Sequence, residues 1–178
     1  MLLSLDVGFA NMGWAVFDSR EVFACGVLKT EKAQRKGTRV ADDHAYRSIV
    51  LATGLNKLIE DYHVMGIIGE LPSGGAQNAR AMGFMMSSIS VAATVGALWN
   101  IPMEWTTPNE VKKALSGVKN ASKEMMMDKA GEKFGFIKDG KSFWFGGEKF
   151  PKGMFEHIAD ACGVYLALQN DNLVKLYG

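Results

Sequence analysis

Three carboxylates of this 178-residue chain sit inside apolar stretches. Asp6 interrupts the opening run "LLSLDVG", Glu70 ends "VMGIIGE", and Asp160 lies within "MFEHIADACGVYLAL". A buried, unpartnered charge is costly, so such acids are usually neutralised, paired or placed on a metal. Three acids drawn to one place would repel one another unless a cation lay among them, and Mg²⁺ or Mn²⁺ prefers carboxylate and water oxygens. Two such ions about 3.5–4 Å apart can hydrolyse a phosphodiester, one activating the attacking water and the other stabilising the leaving oxygen. Taken singly, each acid has a plainer role: Asp6 capping a turn, Glu70 paired with a lysine, Asp160 solvated. Taken together, their placement argues for one site, because acids are seldom buried.

His157 precedes Asp160 by three residues, so a helix carries both on one face. Its imidazole could bind a metal or pass a proton to a leaving group, or it could be structural. His44 and His63 have no such neighbour and are expected to be structural or exposed. The formal net charge is only +1. Charge is nevertheless clustered: Lys29, Lys32, Arg35, Lys36 and Arg39 face only Glu31, and Pro108–Gly153 carries ten lysines against six acids. Two basic regions suit either a polyanion-binding surface or ordinary solvated faces.

The elements that must position these residues alternate. Leu2–Gly8 and Gly13–Phe17 read as strands joined by a turn around Phe9–Met12, and Val22–Leu28 completes an antiparallel meander. Asp42–Tyr62 has helical periodicity with Asp42 or Asp43 as cap, and Val64–Leu71 is a buried strand. Ala79–Trp99 reads as a long helix apolar on nearly all sides. Pro102–Thr106 is a strand, followed by helices from Pro108 to Leu115 and from Ala121 to Lys133. Gly135–Gly153 contains an Asp139-Gly140 hairpin signal, and Met154–Gln169 is the last helix. This order predicts a single α/β unit over 1–178: a mixed five-stranded sheet, meander first and parallel strands after, with helices on both faces.

Composition is that of an ordinary soluble chain, at 48% hydrophobic and 22% charged. No apolar run is expected to span a membrane, and the first residues lack the basic start of a signal peptide. Cys25 and Cys162 lack metal or redox spacing and are expected to be reduced core residues of a cytoplasmic protein.

Four segments, in order, resemble the RuvC family of Holliday-junction resolvases, which have a ribonuclease H-like fold. They are "LSLDVGFANMGWAVFD", "GIIGELPSGGAQNARAMG", "PNEVKKALSGVKNASKEMM" and "HIADACGVYLA", about two-thirds of the chain. The first motif alone is shared with other ribonuclease H-like and sugar-kinase-like folds; the four together are more specific. The resemblance implies a metal-dependent endonuclease that resolves four-way or other branched DNA, using Mg²⁺, with Mn²⁺ able to substitute. It implies metal ligands at Asp6, Glu70 and Asp160, with His157 at a fourth position that is acidic in some members. It places lysines near the scissile phosphate at Lys112 and Lys123, while Lys119 stands where the family usually has a small residue. It also implies a homodimer formed through helix 79–99. Arg80 and Lys119 are further candidates for contact with DNA. The short length and the insert fit a phage-encoded enzyme acting in a bacterial cell.

Two departures stand out. The family often carries an aromatic wedge just after the glutamate, where this chain has "LPSGG". The insert around 135–153 interleaves Phe143, Trp144, Phe145 and Phe150 with Lys138, Lys141, Lys149 and Lys152. Alternating cations and aromatics can pair with phosphates and stack on unpaired bases, or can fold as a hairpin packed on the core. The rival functions are an RNA-processing nuclease similar to the YqgF type and a non-catalytic DNA-binding dimer. A kinase-like fold needs duplicated halves and about twice this length.

Overall fold

The computed structural model describes residues 1–33, 37–71 and 79–178, with Arg80 described by its backbone only. Arg35 and Lys36 of the first basic region, and Pro72–Gly75 of the "LPSGG" stretch, lie outside the described residues. The meander is β1 (Leu2–Asp6), β2 (Asn11–Asp18) and β3 (Glu21–Lys29), followed by α1 (Val40–Asp61) and β4 (Gly66–Glu70). Then come α2 (Ala79–Leu98), β5 (Met103–Thr106), α3 (Pro108–Ser116) and α4 (Lys123–Phe134). Three short strands, β6 (Ile137–Asp139), β7 (Ser142–Phe145) and β8 (Glu148–Pro151), lead into α5 (Lys152–Ala167) and α6 (Asn172–Tyr177).

The main sheet has the order β3-β2-β1-β4-β5, antiparallel across the meander and parallel across β1-β4-β5. Side chains alternate between its two faces. Leu3, Leu5, Val16 and Ile67 pack with Leu51, Leu55 and Ile59 of α1 and Ala92 and Val95 of α2. Leu2, Ala15, Phe17 and Ile68 pack instead with residues of α3, α4, α5 and α6. Helices on both faces of a mixed sheet are therefore present, as the order of elements predicts. Cys25 and Cys162 are buried free thiols within the second layer.

Several local expectations are corrected. Neither Asp42 nor Asp43 caps α1: its N-cap is Arg39, which has no side-chain cap, and Asp42 bonds Arg39 while Asp43 turns inward to accept from Ala33 N at 2.7 Å. The final helix starts two residues earlier than expected, and the chain after it forms α6, whose brevity hides its periodicity. Helix α2 over 81–98 is long and apolar enough to cross a membrane, with only 22% of that stretch buried. Serines at 87, 88 and 90 disguise this run by eye, but their hydroxyls are not charges; Ser87 donates to Gly83 O and Ser88 to Met85 O. The helix's inner side is packed on the sheet, with Gly96 against the Met103 side chain, while Met82 and Met86 project outward.

Candidate active site

Parallel pairing of β1 with β4 sets Asp6 beside Glu70 at the carboxyl ends of both strands. Alternation puts Leu2, Ser4 and Asp6 on the face covered by α5, and Ile68 and Glu70 share it. Two details seat α5 across that end. Ser4 Oγ, fully buried, donates to Ala161 O at 2.6 Å. Gly13, the strand partner of Asp6, lies directly under the His157 carbonyl, where a Cβ would overlap the oxygen. The helix therefore rests on bare backbone. His157 and Asp160 are lowered to the strand ends, and His157 Nδ1 stands 2.8 Å from the accepting Asp6 Oδ2.

The electrostatics report the crowding. Burial, then the charges of Asp6 and Asp160, push the Glu70 carboxyl up to about 8, with Lys112 opposing. Burial, then Asp6 and Glu156, push Asp160 up to about 7, opposed by His157 and Lys112. The hydrogen bond to Asp6 raises His157, against its own desolvation. Asp6 and Asp160 thus act on each of the others, Glu70 and His157.

The other candidates divide. Lys112, on α3, is half-buried and acts on both Glu70 and Asp160. Lys123 begins α4 after its Ser122 cap and pairs with Glu156; its ammonium also feels Asp160 and Asp6. Lys119 and Lys141 are exposed, and Lys138 is held by Asp128 at 2.8 Å. Phe143 corrects the expectation of a base-stacking residue: it is 2% exposed and stacked on Phe155 at 3.8 Å between ring centroids. The Asp139-Gly140 hairpin forms as the sequence signals, and its pleat turns Phe143 inward with Phe150 while Trp144 is left half-exposed beneath Lys149. The side chain of Arg80 lies outside the described residues.

Glu156 was not singled out from sequence, although it lies one helical turn before Asp160, the spacing that places two residues on one face. Gly13 could also have been suspected, since glycine inside a strand often marks a close backbone approach.

Among the described residues, no group of three His, Cys, Asp or Glu side chains is arranged around one metal position. The donor chemistry still suits a hard divalent cation: Asp6, Glu70 and Asp160 supply only carboxylate oxygens, and two of them are held far above their usual range. Mg²⁺ commonly keeps several waters and takes one or two carboxylates plus substrate phosphates, so a closed protein cage is not its requirement.

No protein-family model and no curated protein matches this chain. The sheet order and the helix lying over the strand ends define a ribonuclease H-like α/β fold, and solved structures share it. Thermus thermophilus RuvC in complex with a Holliday-junction substrate aligns with a TM-score of 0.68 at 16% identity, covering 93% of this chain and 90% of the other. A second Thermus thermophilus RuvC structure gives 0.66 at 15% identity over 98% and 95%. The yeast mitochondrial Holliday-junction resolvase Ydc2 gives 0.59 at 17% identity over 93% and 76%. The fold is therefore the one that the sequence motifs resemble.

Proposed function

We propose that this chain is a divalent-cation-dependent endonuclease acting on four-way or other branched DNA. The observation that carries the reading is the convergence of Asp6, Glu70, Asp160 and His157 on the carboxyl end of β1 and β4, in a fold shared with junction resolvases. Asp6, Glu70 and Asp160 would hold the cation, with His157 as a fourth group. When bound, Mg²⁺ or Mn²⁺ would polarise the phosphate and the attacking water. Asp6 orients His157 through Nδ1; as an alternative to ligation, an imidazolium carrying both ring protons would give the one on its other nitrogen to the leaving oxygen. Lys112 offsets carboxylate charge from within the site, and Lys123, once released from Glu156, would meet the phosphate in the transition state.

Contacts to the DNA backbone would dominate affinity and make binding salt-sensitive. A homodimer through the outer face of α2 would present one such site to each of two opposed strands. Met82 and Met86, one turn apart, supply exposed apolar surface for that contact. The buried free thiols suit a reducing, cytoplasmic setting.

The test is incubation with a synthetic four-way junction, a flap, plain duplex and an RNA–DNA hybrid in Mg²⁺ or Mn²⁺. Paired nicks in the junction support the proposal. RNA cleavage transfers the reading to an RNA-processing nuclease, and tight binding without cleavage to a non-catalytic dimer.

A further inference from the structure

A buried polar cluster lies against the turn that follows Asp6, on the opposite side of the sheet from α5. Thr30, 7% exposed, donates through its hydroxyl to Phe9 O at 2.6 Å, and its amide donates to Ala10 O at 2.9 Å. Arg47, 6% exposed, donates from Nε to the same Thr30 hydroxyl oxygen at 2.8 Å. Its guanidinium lies 4.5 Å from the Phe9 ring centroid and 5.1 Å from that of Phe84, and these two rings stack at 5.0 Å. Asp43 supplies the countercharge at 3.8 Å and spends its other oxygen on Ala33 N. The turn itself is tight: Gly8 N donates to Asp6 O at 3.0 Å, and a Cβ at Gly8 would overlap Asn11 O.

This is an expensive arrangement. A buried guanidinium with a distant countercharge is weak evidence for stability, since an apolar replacement often serves as well. What the cluster does provide is direction. It ties Thr30, just past the end of β3, and through it Arg47 of α1, to the Phe9 carbonyl three residues beyond Asp6, while Phe84 of α2 stacks on the Phe9 ring. We infer that Thr30 and Arg47 are positioning residues: the relay from Arg47 through the Thr30 hydroxyl to Phe9 O holds the end of β1 so that Asp6 meets His157 and Glu70. Neither residue touches the reacting groups. Displacing a catalytic group by about 1 Å can cost about 100-fold in rate, so a turn held in this way is a lever on catalysis.

Thr30→Val deletes the relay at constant shape and leaves the Asp43–Arg47 pair in place, and Thr30→Ser keeps the hydroxyl. Arg47→Lys, which retains charge but lacks the planar fork, is the second variant. Two readouts are needed: kcat and KM on the four-way junction, and amide hydrogen exchange. Thr30→Val is expected to lower kcat about tenfold with KM and junction affinity within about twofold, and Thr30→Ser to restore it. Exchange at the Gly8 and Thr30 amides is expected to rise about tenfold in Thr30→Val while the β4 and β5 amides stay protected. Arg47→Lys should fall between wild type and Thr30→Val in both. The kinetic arm rests on the nuclease reading; the exchange arm does not, so a wild type that cuts nothing refutes that reading and leaves exchange to decide the relay. Wild-type exchange at Gly8 and Thr30 in Thr30→Val, or a rise spread evenly over the sheet, overturns the inference.

Discussion

At the scale of single residues, the site packs charge where little water reaches. Asp6→Asn keeps shape and removes one negative charge from the site; junction binding should persist while cleavage falls at least about 100-fold, measured by gel shift and strand-cleavage rates. The raised carboxyls also set a pH dependence. Glu70, ordinarily near 4.5, sits at about 8 in the folded chain, and Asp160, ordinarily 3.8, at about 7. A folded-state value above the unfolded one means that the unfolded chain releases the proton first. Their contribution to stability is therefore full below pH 3.8 and lost progressively as pH rises through about 7–8. His157, also raised, acts in the same direction. In chelator, Tm should fall from mildly acidic to alkaline pH; Glu70→Gln should flatten that slope, and Mg²⁺ should restore Tm at the alkaline end. A cation-free protein equally stable across that range would count against the crowding of these acids.

At the scale of elements, the seat of α5 depends on the bare backbone of Gly13. Gly13→Ala places a methyl against the His157 carbonyl. It should cost about 1–3 kcal/mol in urea unfolding, as overpacking does, and lift His157 away from Asp6, lowering cleavage beyond what stability explains. The insert separates into two predictions. Phe143→Ala should cost about 3–5 kcal/mol, as the loss of a buried phenyl does. Trp144→Ala should leave the fold intact and weaken junction binding about tenfold, the scale of one lost base stack, read by fluorescence anisotropy. Much of this was legible beforehand. The meander, the parallel strands and the long helix follow from apolar runs and their punctuation, and Asp6, Glu70 and Asp160 stand out because acids rarely interrupt such runs. The inward turn of Phe143 was not legible, because alternation assigns faces only once pairing register is known. Glu156 hid beside His157 as one more charge on a helix. The Thr30–Arg47 relay joins residues 17 apart, and no local pattern marks it.

At the scale of the whole molecule, α2 presents apolar surface that the described residues do not cover: Met82 is 44% exposed and Met86, one turn on, 53%. A second copy meeting this face would bury it, and a two-fold pair of sites would suit cutting two strands of one junction. Met86→Glu should shift the sedimentation profile toward monomer and convert paired cuts into single nicks. A monomeric wild type that still makes paired cuts would remove the need for the dimer.

The acids are tested as cation ligands most directly by Mn²⁺ titration followed by electron paramagnetic resonance, in wild type, Asp6→Asn and Glu70→Gln, with and without junction DNA. Wild type is predicted to bind the ion, more tightly with DNA present, and each variant to lose that binding while remaining folded. Undiminished Mn²⁺ binding in both variants would contradict the assignment of these acids as its ligands.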